Sequence, residues 1–169
     1  VEQGTTSAQR TVISTVSDLQ NAIEKAGLQP PALFVIGPTI HHVKNLDWRG
    51  DLALSGQRLV LSSANAKLAG MLENEGAEIV LLPLPVTPAA RVVMGALPLT
   101  GCLVTSRAEV DWLDEEMGNP GWSDEAVAWC FGEESAARAK RCGWRHVIEL
   151  QEQLDCGELV ARIAAGAEV

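Results

Sequence analysis

Apolar positions along this chain fall into short unbroken runs separated by stretches of helical spacing. Arg58-Leu59-Val60-Leu61, Glu78 to Pro83, Gly101 to Ser106, Ala126 to Gly132 and His146 to Leu150 are runs of the first kind. Their length and continuity predict strands. Ala66 to Glu75 has Leu68, Met71 and Leu72 on one side and Gly76 as its stop, the pattern of an amphipathic helix. Glu109 to Met117 predicts a second helix, followed by a turn at Gly118-Asn119-Pro120-Gly121. Glu133 to Cys142 predicts a third, stopped by Gly143. Asp155-Cys156-Gly157-Glu158 reads as a D-x-x-E cap opening a last helix with Leu159, Val160 and Ile163 inward. Pro83, Pro85 and Pro88 mark a loop or linker. Alternating strands and helices predict a doubly wound α/β fold, with parallel strands joined by right-handed crossovers.

The first fifty residues carry a different, shorter pattern. Thr11 to Val16 is β-branched and reads as a short strand or a helix lead-in. Ser17-Asp18-Leu19-Gln20 fits a capping box; Val16, Leu19 and Ile23 follow at helical spacing, with Gly27 as the stop. After Pro30-Pro31, the run Ala32-Leu33-Phe34-Val35-Ile36 predicts a buried strand ending at Gly37-Pro38. Strand, helix, strand is too little to close a core. The organisation expected is therefore a fragmentary unit over 1–50, a linker over 51–56, and an incomplete α/β unit over 57–169. The opening Val1-Glu2-Gln3-Gly4-Thr5 is no signal peptide and reads as an internal cut.

Composition narrows the function classes. An apolar fraction of 47% with 21% charged residues is that of an ordinary globular chain. No apolar run approaches the roughly 20 residues that span a bilayer, so no membrane partner is expected. The net charge of −9 sits wholly after residue 50, because the first fifty residues hold four basic and four acidic groups. Phosphate backbones need clustered Lys and Arg, so no nucleic-acid partner is expected either. Acidic clusters such as Asp111, Asp114, Glu115 and Glu116 read as solvated helix faces. The four cysteines, Cys102, Cys130, Cys142 and Cys156, lack metal-ligand spacing and read as free thiols in a reducing cytoplasm. Adjacent His41 and His42 would point to opposite sides of a strand, so no metal site is expected there.

In doubly wound sheets ligands bind at the carboxyl ends of the strands. Three such ends carry small polar residues: Ser62-Ser63, Thr105-Ser106-Arg107, and Gly132 with Ser135. Hydroxyls and free backbone N–H groups there suit a carboxylate or phosphate, although Ser and Thr also cap helices for structural reasons.

Two sets of motifs carry a family resemblance. Gly4-Thr5-Thr6-Ser7-Ala8-Gln9-Arg10, then Pro31 to Gly37, then Leu46-Asp47-Trp48 resemble the C-terminal end of uroporphyrinogen-III C-methyltransferases, with their G-T-x-x-x-Q-R, P-A-hydrophobics-G and L-x-W patterns. Residues after the junction resemble the first half of uroporphyrinogen-III synthase. The resemblance lies in the strand–helix–G-A-E-hydrophobics-L-P opening, the T-S-x-x-x-V strand end over Val104 to Val110, and the G-x-x-[ST]-A-x-x-A helix start over Gly132 to Ala139. The two activities occur fused in this order in some bacteria. The resemblance implies a bifunctional parent in tetrapyrrole biosynthesis: a transferase using S-adenosylmethionine, and a lyase that cyclises hydroxymethylbilane to uroporphyrinogen III without a cofactor. It implies Gly4 as a cofactor contact, and Thr105, Ser106 and Ser135 as positions facing the tetrapyrrole.

This chain departs from the family pattern in places. Ser62-Ser63 replaces a T-R strand end, there is no tyrosine, and Leu154 stands near an expected aromatic. The negative charge would repel an octa-anion, although salt screens this beyond roughly 8–10 Å; Arg58, Lys67, Arg91, Arg107 and Arg138 are the local counter-charges expected. Two readings follow. One is a piece of a bifunctional enzyme completed by other residues, a complementing chain or a second copy. The other is a non-catalytic module, degenerate or truncated, acting in binding or assembly.

Overall fold

A computed structural model describes residues 1–43, 52–83, 85–117 and 125–166. Five strands form one sheet: β1 (Arg58–Ser62), β2 (Glu78–Leu82), β3 (Gly101–Val104), β4 (Val127–Phe131) and β5 (His146–Leu150). Every pair is parallel and the order is β2-β1-β3-β4-β5. The helices are α1 (Leu19–Ala26), α2 (Ala66–Asn74), α3 (Pro88–Ala96), α4 (Arg107–Met117), α5 (Glu133–Arg141) and α6 (Cys156–Gly166). This is the doubly wound α/β architecture expected from the alternation of runs.

The period of two along each strand sorts side chains to the two faces. Leu59, Leu61, Leu103 and Trp129 pack with Leu72 of α2 and Leu159 and Ile163 of α6. Val60, Cys102, Val104 and Cys130 pack with Met94 of α3, Val110 and Leu113 of α4, and Ala136 and Ala139 of α5. β1, β3 and most of β4 are buried throughout, because each lies between two strands and two helical layers. Leu54, within the expected linker, is fully buried in the α2–α6 layer, and its N–H donates to the Glu75 carbonyl at 2.8 Å. As expected from the D-x-x-E pattern, Asp155 Oδ1 accepts from the Glu158 N–H at 2.8 Å and caps α6.

Three expectations are overturned. The Pro83–Pro88 stretch ends in a helix rather than continuing as a loop: Pro88 takes the first position of α3, where its missing N–H costs nothing. Thr87 caps that helix by accepting from the Ala90 N–H at 3.2 Å. Ala32 to Ile36 is not a buried strand. Ala32 makes an isolated bridge to Glu2, the Leu33 N–H donates to the Val1 carbonyl at 2.7 Å and the Leu33 carbonyl accepts from the Val1 amino group at 2.8 Å, yet Leu33, Phe34, Val35 and Ile36 are 55–74% exposed. An apolar run is buried only where neighbours supply a full ladder and two layers, and the described residues supply only this short edge contact and leave the four side chains exposed. Ser17 does not close a capping box; its hydroxyl lies 3.0 Å from that of Thr15. Thr11 to Val16 serves as a lead-in, ending in a 3-10 turn that runs into α1, and Gly27 ends α1 in the left-handed region at φ 62°. His41 and His42 lie in a 3-10 turn and are exposed. Lys44 to Asp51, which contains the Leu46-Asp47-Trp48 motif and the first residue of the expected linker, lies outside the described residues, as does the turn expected at Gly118 to Gly121.

The N-terminal segment docks on the sheet at a definite place. The Ser7 N–H and hydroxyl both donate to Glu78 Oε2, at 2.9 and 2.8 Å. Glu78 also accepts from Arg58 Nε and Nη2, at 2.8 and 2.9 Å. Both residues are the first of their strands, so the contact lies at the amino end of the sheet.

Candidate carboxylate site at the strand ends

The order β2-β1-β3 makes the gap between β1 and β3 the topological switch point. The chain leaves β1 for one side and builds the remaining strands on the other, so the connections diverge and leave a crevice at the carboxyl ends. Ser62 ends β1 and Thr105 follows β3, so the sheet brings these two expected residues together.

What lies between them was not expected. The Glu109 carboxylate, from the first turn of α4, fills the gap. Its Oε1 accepts from Ser62 Oγ at 2.6 Å and from Asn65 Nδ2 at 2.7 Å. Its Oε2 accepts from the Thr105 N–H at 2.6 Å and from Thr105 Oγ at 2.9 Å. Asn65 also donates to Ser62 Oγ at 3.2 Å, tying the two β1-side donors together. Four donors on two oxygens nearly saturate a carboxylate's accepting capacity. The hollow that Glu109 lines with Ser62, Val60, Val104, Trp112 and Leu113 leaves no volume that a water molecule could enter.

Glu109 and Asn65 were missed from sequence, although one signal was legible. Ser106-Arg107-Ala108-Glu109 is itself an S-x-x-E capping box. Ser106 does act as the cap, accepting from the Glu109 N–H at 3.3 Å. The Glu109 side chain, however, reaches one residue further back than a capping box requires, to Thr105, and then across to β1.

The remaining expected residues are placed elsewhere. Ser63 is exposed in a 3-10 turn after β1. Arg107 faces α5, pairing with Glu134 at 2.9 Å and Asp111 at 3.5 Å. Gly132 follows β4 with φ 77°, and its N–H donates to the Leu150 carbonyl at 2.9 Å. Ser135 is buried, and its hydroxyl donates to the Phe131 and Gly132 carbonyls, closing its own turn. Gly4 is exposed in the N-terminal segment, three residues from the Ser7 contact and so associated with the opposite end of the sheet. A Cβ on Gly4 would stand 3.5 Å from Val1 Cγ1 and 4.0 Å from Gln9 Oε1. The groove of about 640 Å³ formed by α1 and residues 32–43 does not include it.

The cationic side chains near these strand ends are largely engaged. Arg91 pairs with Glu116 at 2.6 Å, and Arg138 bonds Asp111 and reaches Asp114 at 3.3 Å. The Arg138 guanidinium holds the Asp111 carboxyl below its ordinary range. Of the five expected counter-charges, Lys67 alone has no ion pair with another described residue. Burial pushes the Cys130 thiol up to about 12 and the Cys102 thiol upward as well, so neither is a nucleophile at neutral pH. Among the described residues no group of three His, Cys, Asp or Glu side chains is placed to hold a metal ion. No described helix is long and apolar enough to cross a membrane.

No protein-family model matches the chain, and no curated protein matches it significantly.

Proposed function

We propose that residues 57–169 form the first, tetrapyrrole-holding α/β unit of a uroporphyrinogen-III synthase. In this reading residues 1–50 are the end of a uroporphyrinogen-III C-methyltransferase, within a bifunctional parent of tetrapyrrole biosynthesis. The motif order supports the pathway. The observation that carries the binding chemistry is the Ser62–Asn65–Thr105 cradle, whose hydroxyl, amide and backbone donors already hold one carboxylate in the ligand position of this architecture. Hydroxymethylbilane carries eight carboxylates, and its cyclisation asks an enzyme chiefly to fold and hold a flexible chain. Neutral donors at the strand ends can grip such arms one at a time without a cluster of arginines. S-adenosylmethionine serves only the methyltransferase of the parent.

The test is incubation of the chain with hydroxymethylbilane, followed by separation of the oxidised isomers and a titration of the folded chain with uroporphyrinogen III. Saturable binding, with the III isomer in excess over the spontaneous I isomer, is the expected result. Product confined to the I isomer, together with no binding, sinks the proposal. A second reading, a binding or assembly module without catalysis, is favoured by the engaged arginines and by Glu109 standing in the ligand position. It predicts binding of the tetrapyrrole with the I isomer alone as product.

A further inference from the structure

We infer that Glu109 is an internal plug: its carboxylate occupies the switch point in place of a ligand's, and a ligand enters by displacing it. The inference rests on the switch point being the carboxylate site proposed above, and it adds how that site is kept closed. Three observations carry it. First, a structural cap explains only part of the geometry. A capping glutamate accepts from the N–H of its helix's cap residue, whereas Glu109 accepts from Thr105, one residue before the cap Ser106. The bonds from Ser62 and Asn65 come from another element, 47 and 44 residues away in sequence, and do nothing for α4. Second, Ser62 is only 6% exposed, so its hydroxyl must have a partner, and Glu109 is the acceptor on offer at 2.6 Å. Third, Glu109 itself lines the small hollow at these strand ends, with Ser62, Val104 and Trp112, and no water-sized space is left in it.

The chemistry of the plug names the class of ligand. From its Cα, a glutamate side chain is a two-methylene arm ending in a carboxylate, which is a propionate group. A cradle shaped around it fits the propionate arm of a small molecule. An intramolecular arm acts at an effective concentration of order millimolar or above, so a free monocarboxylate competes poorly with it, whereas a ligand with several carboxylates can displace it and find further contacts.

The probe is sodium propionate, followed through the Thr105 amide resonance in wild type, Glu109→Ala and Glu109→Gln. Glu109→Gln keeps the bulk of the arm but opposes an amide donor to the donors of Thr105 or of Ser62 and Asn65. It loosens the plug where Glu109→Ala fails to fold. The expected result is saturable propionate binding to a folded variant, at least about tenfold tighter than to wild type, with the Thr105 amide returning towards its wild-type position. Propionamide at the same concentration leaves it unmoved. Equal binding to wild type and variant overturns the plug while leaving the carboxylate site standing. No binding to any folded variant overturns both the plug and the site.

Discussion

At the scale of single residues, glycine positions show how tightly the interior is specified. Gly101 opens β3 opposite Val127, and a Cβ there would lie 2.1 Å from the Val127 carbonyl oxygen and 2.5 Å from the Trp129 ring. Both neighbours are central: Trp129 is fully buried and Val127 nearly so. Neither can yield without opening the sheet. Gly95 makes the opposite case, on an exposed turn of α3 with nothing within 4 Å of where a methyl group would stand. Gly101→Ala is expected to cost about 3 kcal/mol, lowering Tm by about 10 °C. Gly95→Ala is expected to raise stability by about 0.5–1 kcal/mol through helix propensity. Thermal melts of the two variants beside wild type check both signs. Equal shifts would mean that the close approach at Gly101 does not govern packing.

At the scale of elements, what was legible followed from period and punctuation. The five strands of the sheet were readable because short apolar runs punctuated by turn residues mark strands, the central three buried and the edge strands β2 and β5 only partly so, and α2, α5 and α6 because glycine stops or an Asx cap bracket an apolar stripe. α3 was hidden because Pro83, Pro85 and Pro88 together read as breakers, although Thr87-Pro88 is also a cap followed by a first-turn proline. Its apolar face misleads too, since Val92 and Val93 are exposed and only Met94 is buried. Ala32 to Ile36 failed in the other direction: an apolar run states what a segment would bury, not whether neighbours arrive to cover it. Of the candidate site, Ser62 and Thr105 were legible from strand ends. Asn65 and Glu109 were not, because only the register of β1 against β3 brings them together. The cap of α3 can be tested directly. Thr87→Ala removes the acceptor for the Ala90 N–H and is expected to cost about 1 kcal/mol, while Thr87→Ser costs little. Urea unfolding of the three proteins separates a lost cap from a lost methyl.

At the scale of the whole molecule, the two ends of the sheet do different work. The carboxyl end holds the Glu109 cradle; the amino end anchors the N-terminal segment through Ser7, Glu78 and Arg58. The anchor is electrostatic and therefore depends on pH. Partial burial by itself would raise the Glu78 pKa, but the hydrogen bonds from Arg58 and Ser7 outweigh it and hold the carboxyl at about 2, against an ordinary value of 4.5. A carboxyl depressed in the folded state contributes stability that is fully present above its unfolded pKa. That contribution is lost as pH falls through 4.5 towards about 2. With Glu78 30% exposed, the contribution is on the order of 2 kcal/mol after screening. In Glu78→Gln, Arg58 remains 7% exposed without its counter-charge, so the variant is expected to be less stable than wild type at neutral pH. The difference between the two unfolding free energies should shrink steadily through the acid window, and Ser7→Ala should narrow that window by removing the hydroxyl donor that helps to depress the pKa. Urea titrations at a series of pH values measure this. A wild-type-minus-variant difference that stays constant from neutral pH down to about 2 would show that Glu78 titrates normally and that the N-terminal segment is not held through it.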